Sequence, residues 1–303
     1  MHTIYLQNPD AEKYIPSTLA ECDEQQYMDM CELILKFQTG LISYENLRVL
    51  AIYKLLNMVP KNNISEDQEE LKNLEVYNLS EMIDSFFEHK EDNQKVIIQD
   101  YIHNPVPCIK PLWKTYYGIS NQFQNVTFGE YTDALRLFYQ FNATANFEIL
   151  YALAAIFYRK KKNFHFISKQ LNSYDGDIRK SYNPTNVDKR VKVFKCAPIG
   201  FVYGVYLLFA SFQKFISSAQ VPWGGKVLNL SILFDGPTDN EPEENASIGM
   251  DSIMFTMAES GAFGDLQKVQ KTNLWQILIR MYDIRVRDLA EQKRQNNANN
   301  QQP

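Results

Sequence analysis

Histidine and cysteine are scarce in this chain of 303 residues, with four of each, and glycine and proline number only 12 apiece. Each shortage excludes something. Cys22, Cys31, Cys108 and Cys196 lie far apart, and no two stand at the short spacing of a zinc site. A disulfide framework is therefore not expected, and a reducing compartment fits best. His2, His89, His103 and His165 are scattered, and neither Glu-x-x-His nor His-x-x-x-His occurs, so no helical metal site is spelled out. The nearest pair, His103 with Cys108, reads as structural. Few turn residues also argue against a sandwich of many short strands.

Catalytic motifs are missing as well. No Gly-x-Ser-x-Gly elbow is present. Trp223-Gly224-Gly225-Lys226 resembles the end of a phosphate loop but lacks the upstream glycine and the following Ser or Thr, so it reads as a plain turn. Asp175-Gly176-Asp177 resembles a fragment of a calcium loop without its closing Glu, and reads as a solvated turn. These observations nominate no catalytic residue, no metal ligand and no cofactor, and the chain reads as a non-enzyme. The segment Met1 to Asp10 has neither a basic head nor an apolar run, so it does not read as a secretory signal. The six Asn-X-Ser/Thr triplets are consequently no evidence of glycosylation.

What is abundant is aromatic: Phe 19 and Tyr 18 in a chain that is 45% hydrophobic and 22% charged. The expected fold class is mainly α, an irregular multi-helix globular fold with long loops and at most a few short strands. Apolar residues recur at helical spacing in Asp23 to Gln38, which Gly40 ends, and again after Ser43. Ser65 with Gln68 forms a capping-box start, and Ser80 opens a segment carrying Met82, Ile83, Phe86 and Phe87. Pro105, Pro107 and Pro111 forbid a regular helix between Val96 and Ser120, where Val96 to Ile98 and Trp113 to Tyr117 suit extended backbone.

Thr127-Phe128-Gly129-Glu130 is the clearest helix start. The Thr127 hydroxyl is expected to cap the Glu130 N–H, the Glu130 carboxylate to reach back to the Thr127 N–H, and Val126 to staple onto Tyr131. A further helix should carry Phe147, Leu150, Tyr151 and Ala154. Asn163 to Thr185 reads as a long exposed loop, Val227 to Phe234 as a strand, and Asn273 as the cap of the last helix. The organisation expected is an N-terminal helical region 1–94, a central helical region 95–220 with a proline-rich entry, a C-terminal helical region 221–291, and a disordered polar tail 292–303.

Cys196 to Gln213 runs 18 residues without a formal charge, close to the minimum for a membrane span. Pro198, Gly200, Gly204, Ser211 and Gln213 interrupt it, so a core helix buried by protein is the preferred reading.

Charge is unevenly distributed. Glu66 to Asp92 holds ten acidic residues against Lys72 and Lys90, whereas Arg159 to Lys195 holds eleven basic residues against Asp175, Asp177 and Asp188. Such polarity either steers a partner or pairs two regions of one molecule. Arg159, Lys160, Lys161, Lys162, Lys189, Arg190, Lys192 and Lys195 are the candidate partner-binding residues, suited to an acidic protein surface. Phe164, Phe166, Tyr174 and Tyr182 interleave with these cations as in single-strand nucleic-acid binders, but a sequence pI near 5.5 argues against that reading.

Several segments resemble a family of proteins from the structural-gene clusters of tailed bacteriophages and prophages of gut and environmental Bacteroidetes-like hosts. They are Tyr14-Ile15-Pro16 with Glu24-Gln25-Gln26, Asn125 to Tyr131, Leu150 to Arg159, and Gly176-Asp177-Ile178-Arg179. The family pattern favours Gly-Pro before the second of these, where this chain has Gly118 followed by Ile119 and Ser120. Met257 to Gly261, Phe263-Gly264 and Leu274 to Tyr282 resemble the end of tail assembly proteins that sit beside the tape measure. The resemblance implies a tail assembly chaperone-like protein in the bacterial host cytoplasm, bound to the tape measure or a neighbouring tail component, or a minor virion connector. It brings no catalytic residues.

Overall fold

In a computed structural model, which describes residues 1–7, 10–59, 65–89, 95–163, 176–233 and 250–299, helices dominate and strands occur only as two-stranded hairpins. The chain starts with β1 (His2–Gln7) antiparallel to β2 (Asp10–Ile15), His2 opposite Ile15. Three helices follow: α1 (Glu24–Gln38), α2 (Tyr44–Leu55) and α3 (Glu66–Ser80). The Asp23 carboxylate caps the Gln26 N–H while the Gln26 side chain accepts from the Asp23 N–H, which closes a capping box at the start of α1. Gly40, at φ +72°, lets the Leu41 N–H turn back onto the Lys36 carbonyl and ends α1. Ser43 caps α2 through the Asn46 N–H. Ser65 precedes α3 as expected, but without the side-chain hydrogen bond of a capping box.

Glu81–Phe86 winds as a 3₁₀ segment and leads into β3 (Phe87–His89), which pairs with β4 (Lys95–Ile97). The proline-rich bridge supplies β5 (Cys108–Ile109) and β6 (Tyr116–Tyr117), joined through a turn at Pro111–Trp113. Then come α4 (Phe128–Thr144), α5 (Glu148–Phe157), the short basic α6 (Val187–Phe194) and the apolar α7 (Ile199–Ser218). β7 (Gln220–Trp223) and β8 (Lys226–Asn229) form a hairpin whose turn is Gly224-Gly225, both at positive φ, so Trp223 to Lys226 is the plain turn expected. The strand stops at Asn229 instead of continuing, and Leu230–Leu233 coil into a 3₁₀ turn.

α8 (Met250–Glu259), α9 (Leu266–Lys271) and α10 (Leu274–Asn299) complete the described chain. The Asn273 side chain accepts from the Trp275 N–H at the start of α10. Helix α10 extends further than the disordered tail from 292 allows. Ala290 to Arg294 are good helix formers, and extending a helix already anchored by buried Leu274, Ile277 and Leu278 avoids a new nucleation cost.

One cluster of buried apolar side chains runs from Ile4 to Met281 and draws on all three regions read from the sequence. Its centre is α7, of which the 18-residue apolar window is 67% buried inside the protein. Length and composition alone would let this helix cross a membrane. Protein covers it instead: α1 packs along it, the Tyr27 hydroxyl donates to the Gly204 carbonyl at 2.7 Å, and Phe212 stacks on Phe123 with centroids 3.9 Å apart.

Candidate functional site

Arg159 follows directly on the apolar α5, and its guanidinium turns inward, not toward solvent. It is 2% exposed. Nε donates to the Lys180 carbonyl at 2.6 Å, one terminal nitrogen to the Ile156 carbonyl at 3.0 Å, and the other to Glu130 Oε1 at 2.9 Å and Asp177 Oδ2 at 3.2 Å. Arg179 is wholly buried beside it. Its Nε reaches Asp177 Oδ1 at 2.9 Å, and its terminal nitrogens donate to the Phe157 and Asn125 carbonyls at 2.7 Å each. Glu130 Oε2 lies 2.9 Å from Arg159 and 3.3 Å from Arg179, as an ionic contact outside hydrogen-bond alignment.

The local chain explains how these four side chains meet. Thr127 caps α4 through the Glu130 N–H, as expected, but the Glu130 carboxylate reaches back to the Thr127 hydroxyl at 3.3 Å and not to the Thr127 N–H, and it also faces the two arginines. A buried guanidinium pair outbids a solvent-competing backbone N–H. Asp177 is the second correction. It is buried, and so is not part of a solvated turn; Asp175 lies outside the described residues, as does most of the expected loop from Asn163 to Thr185. The return chain is fixed by backbone bonds from Lys162 N–H to the Ile178 carbonyl and from Lys180 N–H to the Lys160 carbonyl.

Two arginines and two carboxylates give a cluster with no formal net charge. Burial works against the charged form of Arg179, but Glu130 and Asp177 outweigh it and raise its pKa. The cluster borders a cleft of about 1100 Å³ that Asp133, Tyr182, Gln270 and Lys271 also line. Most guanidinium donors are directed into the protein, toward carbonyls and the two carboxylates. The arrangement clamps the start of α4, the end of α5 and the 177–180 segment together.

Several tyrosines share this interior. Burial raises the pKa of Tyr27, Tyr101, Tyr131, Tyr158 and Tyr203, and burial followed by the hydrogen bond to Asp133 raises that of Tyr182. A phenol whose folded pKa is raised contributes stability that is complete below the ordinary value near 10 and is lost as pH rises through the folded value. The melting temperature is expected to hold through neutral pH and fall once pH passes about 10, with the tyrosinate absorbance of these six phenols appearing only together with unfolding, after that of exposed rings such as Tyr14, Tyr77 and Tyr139. Ionisation of all 18 tyrosines in the still-folded protein would contradict this. Arg190 has the opposite sign: burial, then the charge of Arg159, lower its pKa to about 10, so its burial cost applies below that pH.

Of the residues expected at a partner face, Lys160, Lys161, Lys189, Lys192 and Lys195 are exposed, Lys162 and Arg190 are half-buried, and Arg159 is not on the face at all. Arg190 donates to the Ala155 carbonyl at 2.6 Å, and Lys195 pairs with Glu148 at 2.6 Å. The structure adds a residue that patterning missed. Trp113, expected in extended backbone, is 99% exposed and sits in the Pro111–Trp113 turn, which packs against basic helix α6. Leu112 and Trp113 both hold positive φ, 50° and 64°, at a cost of roughly 1–2 kcal/mol per residue. The turn thus holds a large indole in water on strained backbone. The available signal was Trp113 itself, flanked by Lys110 and Lys114 after a proline.

Among the described residues, no group of three or more His, Cys, Asp or Glu side chains is placed to hold a metal ion. No family model, curated protein or solved structure matches the chain.

Proposed function

We propose that this chain is a non-enzymatic phage or prophage protein that assists tail assembly by binding other tail proteins, the tape measure or a neighbouring tail component. The observation that carries the binding role is the exposed, strained Trp113 turn beside α6 with its exposed Lys189 and Lys192. An exposed aromatic on a turn packed beside a basic helix suits an acidic protein surface with an apolar pocket. The phage assignment comes from the sequence resemblance.

The test is capture of a phage tail tape-measure protein by this chain. Trp113→Ala is expected to weaken that binding at least about tenfold with the melting temperature unchanged, and Lys189→Glu with Lys192→Glu to weaken it and flatten its salt dependence. Binding that is retained with wild-type salt dependence removes the interface. A connector that remains in the particle is the second reading, and mass spectrometry of purified virions separates it from a chaperone that departs.

A further inference from the structure

The chain carries on its own surface a match for the Trp113 face, and we infer that a second copy docks there, acidic helix α3 of one molecule against the Trp113 turn and α6 of another. This rests on reading the Trp113 face as a docking face, and it names the occupant.

Helix α3 is 15 residues long, yet Val76 is its one buried large apolar side chain among the described residues. Leu71, Leu74 and Tyr77 each remain more than half exposed. Their spacing of three places them along one ridge. Exposed Asp67, Glu69, Glu70 and Glu75 surround that ridge, and the single cation, Lys72, leans over the Tyr53 ring. A helix of this length gains little from propensity alone and is normally held by burying an apolar face. The face of α3 that packs on α2 does so in part; the leucine ridge is left for another surface.

Charge selects that surface. Among the described residues no ion pair joins the acidic segment to the basic one: Asp84 takes Arg48 and Lys95, Glu148 takes Lys195, and Arg159 and Arg179 take Glu130 and Asp177. Among the described residues, these side chains take other partners than the opposite segment. The α3 ridge is acidic and apolar, and the α6 face is basic with an exposed indole and Leu112. The two faces differ and rest on different neighbours, so the contact runs head to tail between molecules.

Sedimentation velocity on the full chain, across a concentration series at low and high salt, tests this. The wild type is expected to associate at low salt and to weaken severalfold as salt is raised. Trp113→Ala and Leu74→Asp each alter an exposed side chain, and circular dichroism should show both folded. Each alone is expected to weaken association at least about tenfold. Mixed in equal amounts, they should recover a single contact, because Trp113→Ala supplies an intact α3 and Leu74→Asp an intact Trp113 face. A wild type that stays monomeric at low salt overturns the inference, as does a mixture that fails to associate. If Trp113→Ala still loses the tape-measure protein in that case, the docking face survives and only its occupant is wrong.

Discussion

Arg179→Met is expected to lower stability by about 3–5 kcal/mol, because it removes one partner from a buried ion cluster and leaves charge behind uncompensated. For a domain of this size that corresponds to a fall in melting temperature of the order of 10 °C. The wholly buried guanidinium also serves the Phe157 and Asn125 carbonyls at 2.7 Å each, so the thioether leaves those two acceptors without it and leaves Glu130 and Asp177 sharing the single cation of Arg159. Arg179→Lys keeps the charge and is expected to fail almost as badly, since one ammonium cannot span carbonyls and carboxylates on three segments. Glu130 serves both arginines, so Glu130→Gln combined with Arg179→Met should cost less than the sum of the two. Urea titration measures all three. The raised pKa of Arg179 places its loss of charge on the alkaline side of the ordinary arginine value, so its contribution is constant across neutral pH. An Arg179→Met protein with the wild-type midpoint would show that the cluster does not hold the fold.

Local rules explain which parts of this structure were legible. Helix starts depend on side chains a few positions apart, and Ser43, Thr127 and Asn273 cap as their spacing requires. The helical spacing read in Asp23 to Gln38 buries Tyr27, Cys31, Ile34 and Leu35 of α1. Glu130 marks where such reasoning ends. Its neighbours in sequence offered a capping role, while the competing partners, Arg159 and Arg179, stand 29 and 49 positions later and are invisible to a window of one turn. Arg159 was misjudged for the same reason: as the first member of a run with Lys160 to Lys162 it looked like a solvated cation, and only the tertiary position of Glu130 turns it inward. Trp113 escaped notice because nothing in its flanks specifies positive φ for a non-glycine residue. At the candidate face, the lysines on α6 were readable and the exposed Trp113 beside them was not.

Gly200→Ala should have a comparably large effect, and its sign separates packing from propensity. In an exposed helix, replacing glycine by alanine gains roughly 1 kcal/mol. Here a Cβ built on Gly200 would stand 2.0 Å from the Met28 carbonyl oxygen, far inside contact, and the obstacle is the backbone of α1 rather than a flexible side chain. One turn later, a Cβ on Gly204 would meet Tyr27 Cε1 at 2.6 Å. That ring cannot swing aside cheaply, because its hydroxyl donates to the Gly204 carbonyl and shares a second hydrogen bond, 2.7 Å long, with Tyr101. The two glycines that seemed to interrupt an apolar run are thus positions where α7 lies directly against α1 with no room for a Cβ. Gly200→Ala is expected to destabilise by about 3 kcal/mol or more, since overpacking ordinarily costs roughly 1–3 and here a main-chain atom must move. Gly204→Ala should also destabilise but cost less, because its obstacle at 2.6 Å is a side chain, while that of Gly200 at 2.0 Å is main chain. Equilibrium unfolding of the two variants checks the order, and a Gly200→Ala protein more stable than wild type would mean that α1 and α7 do not cross at this distance.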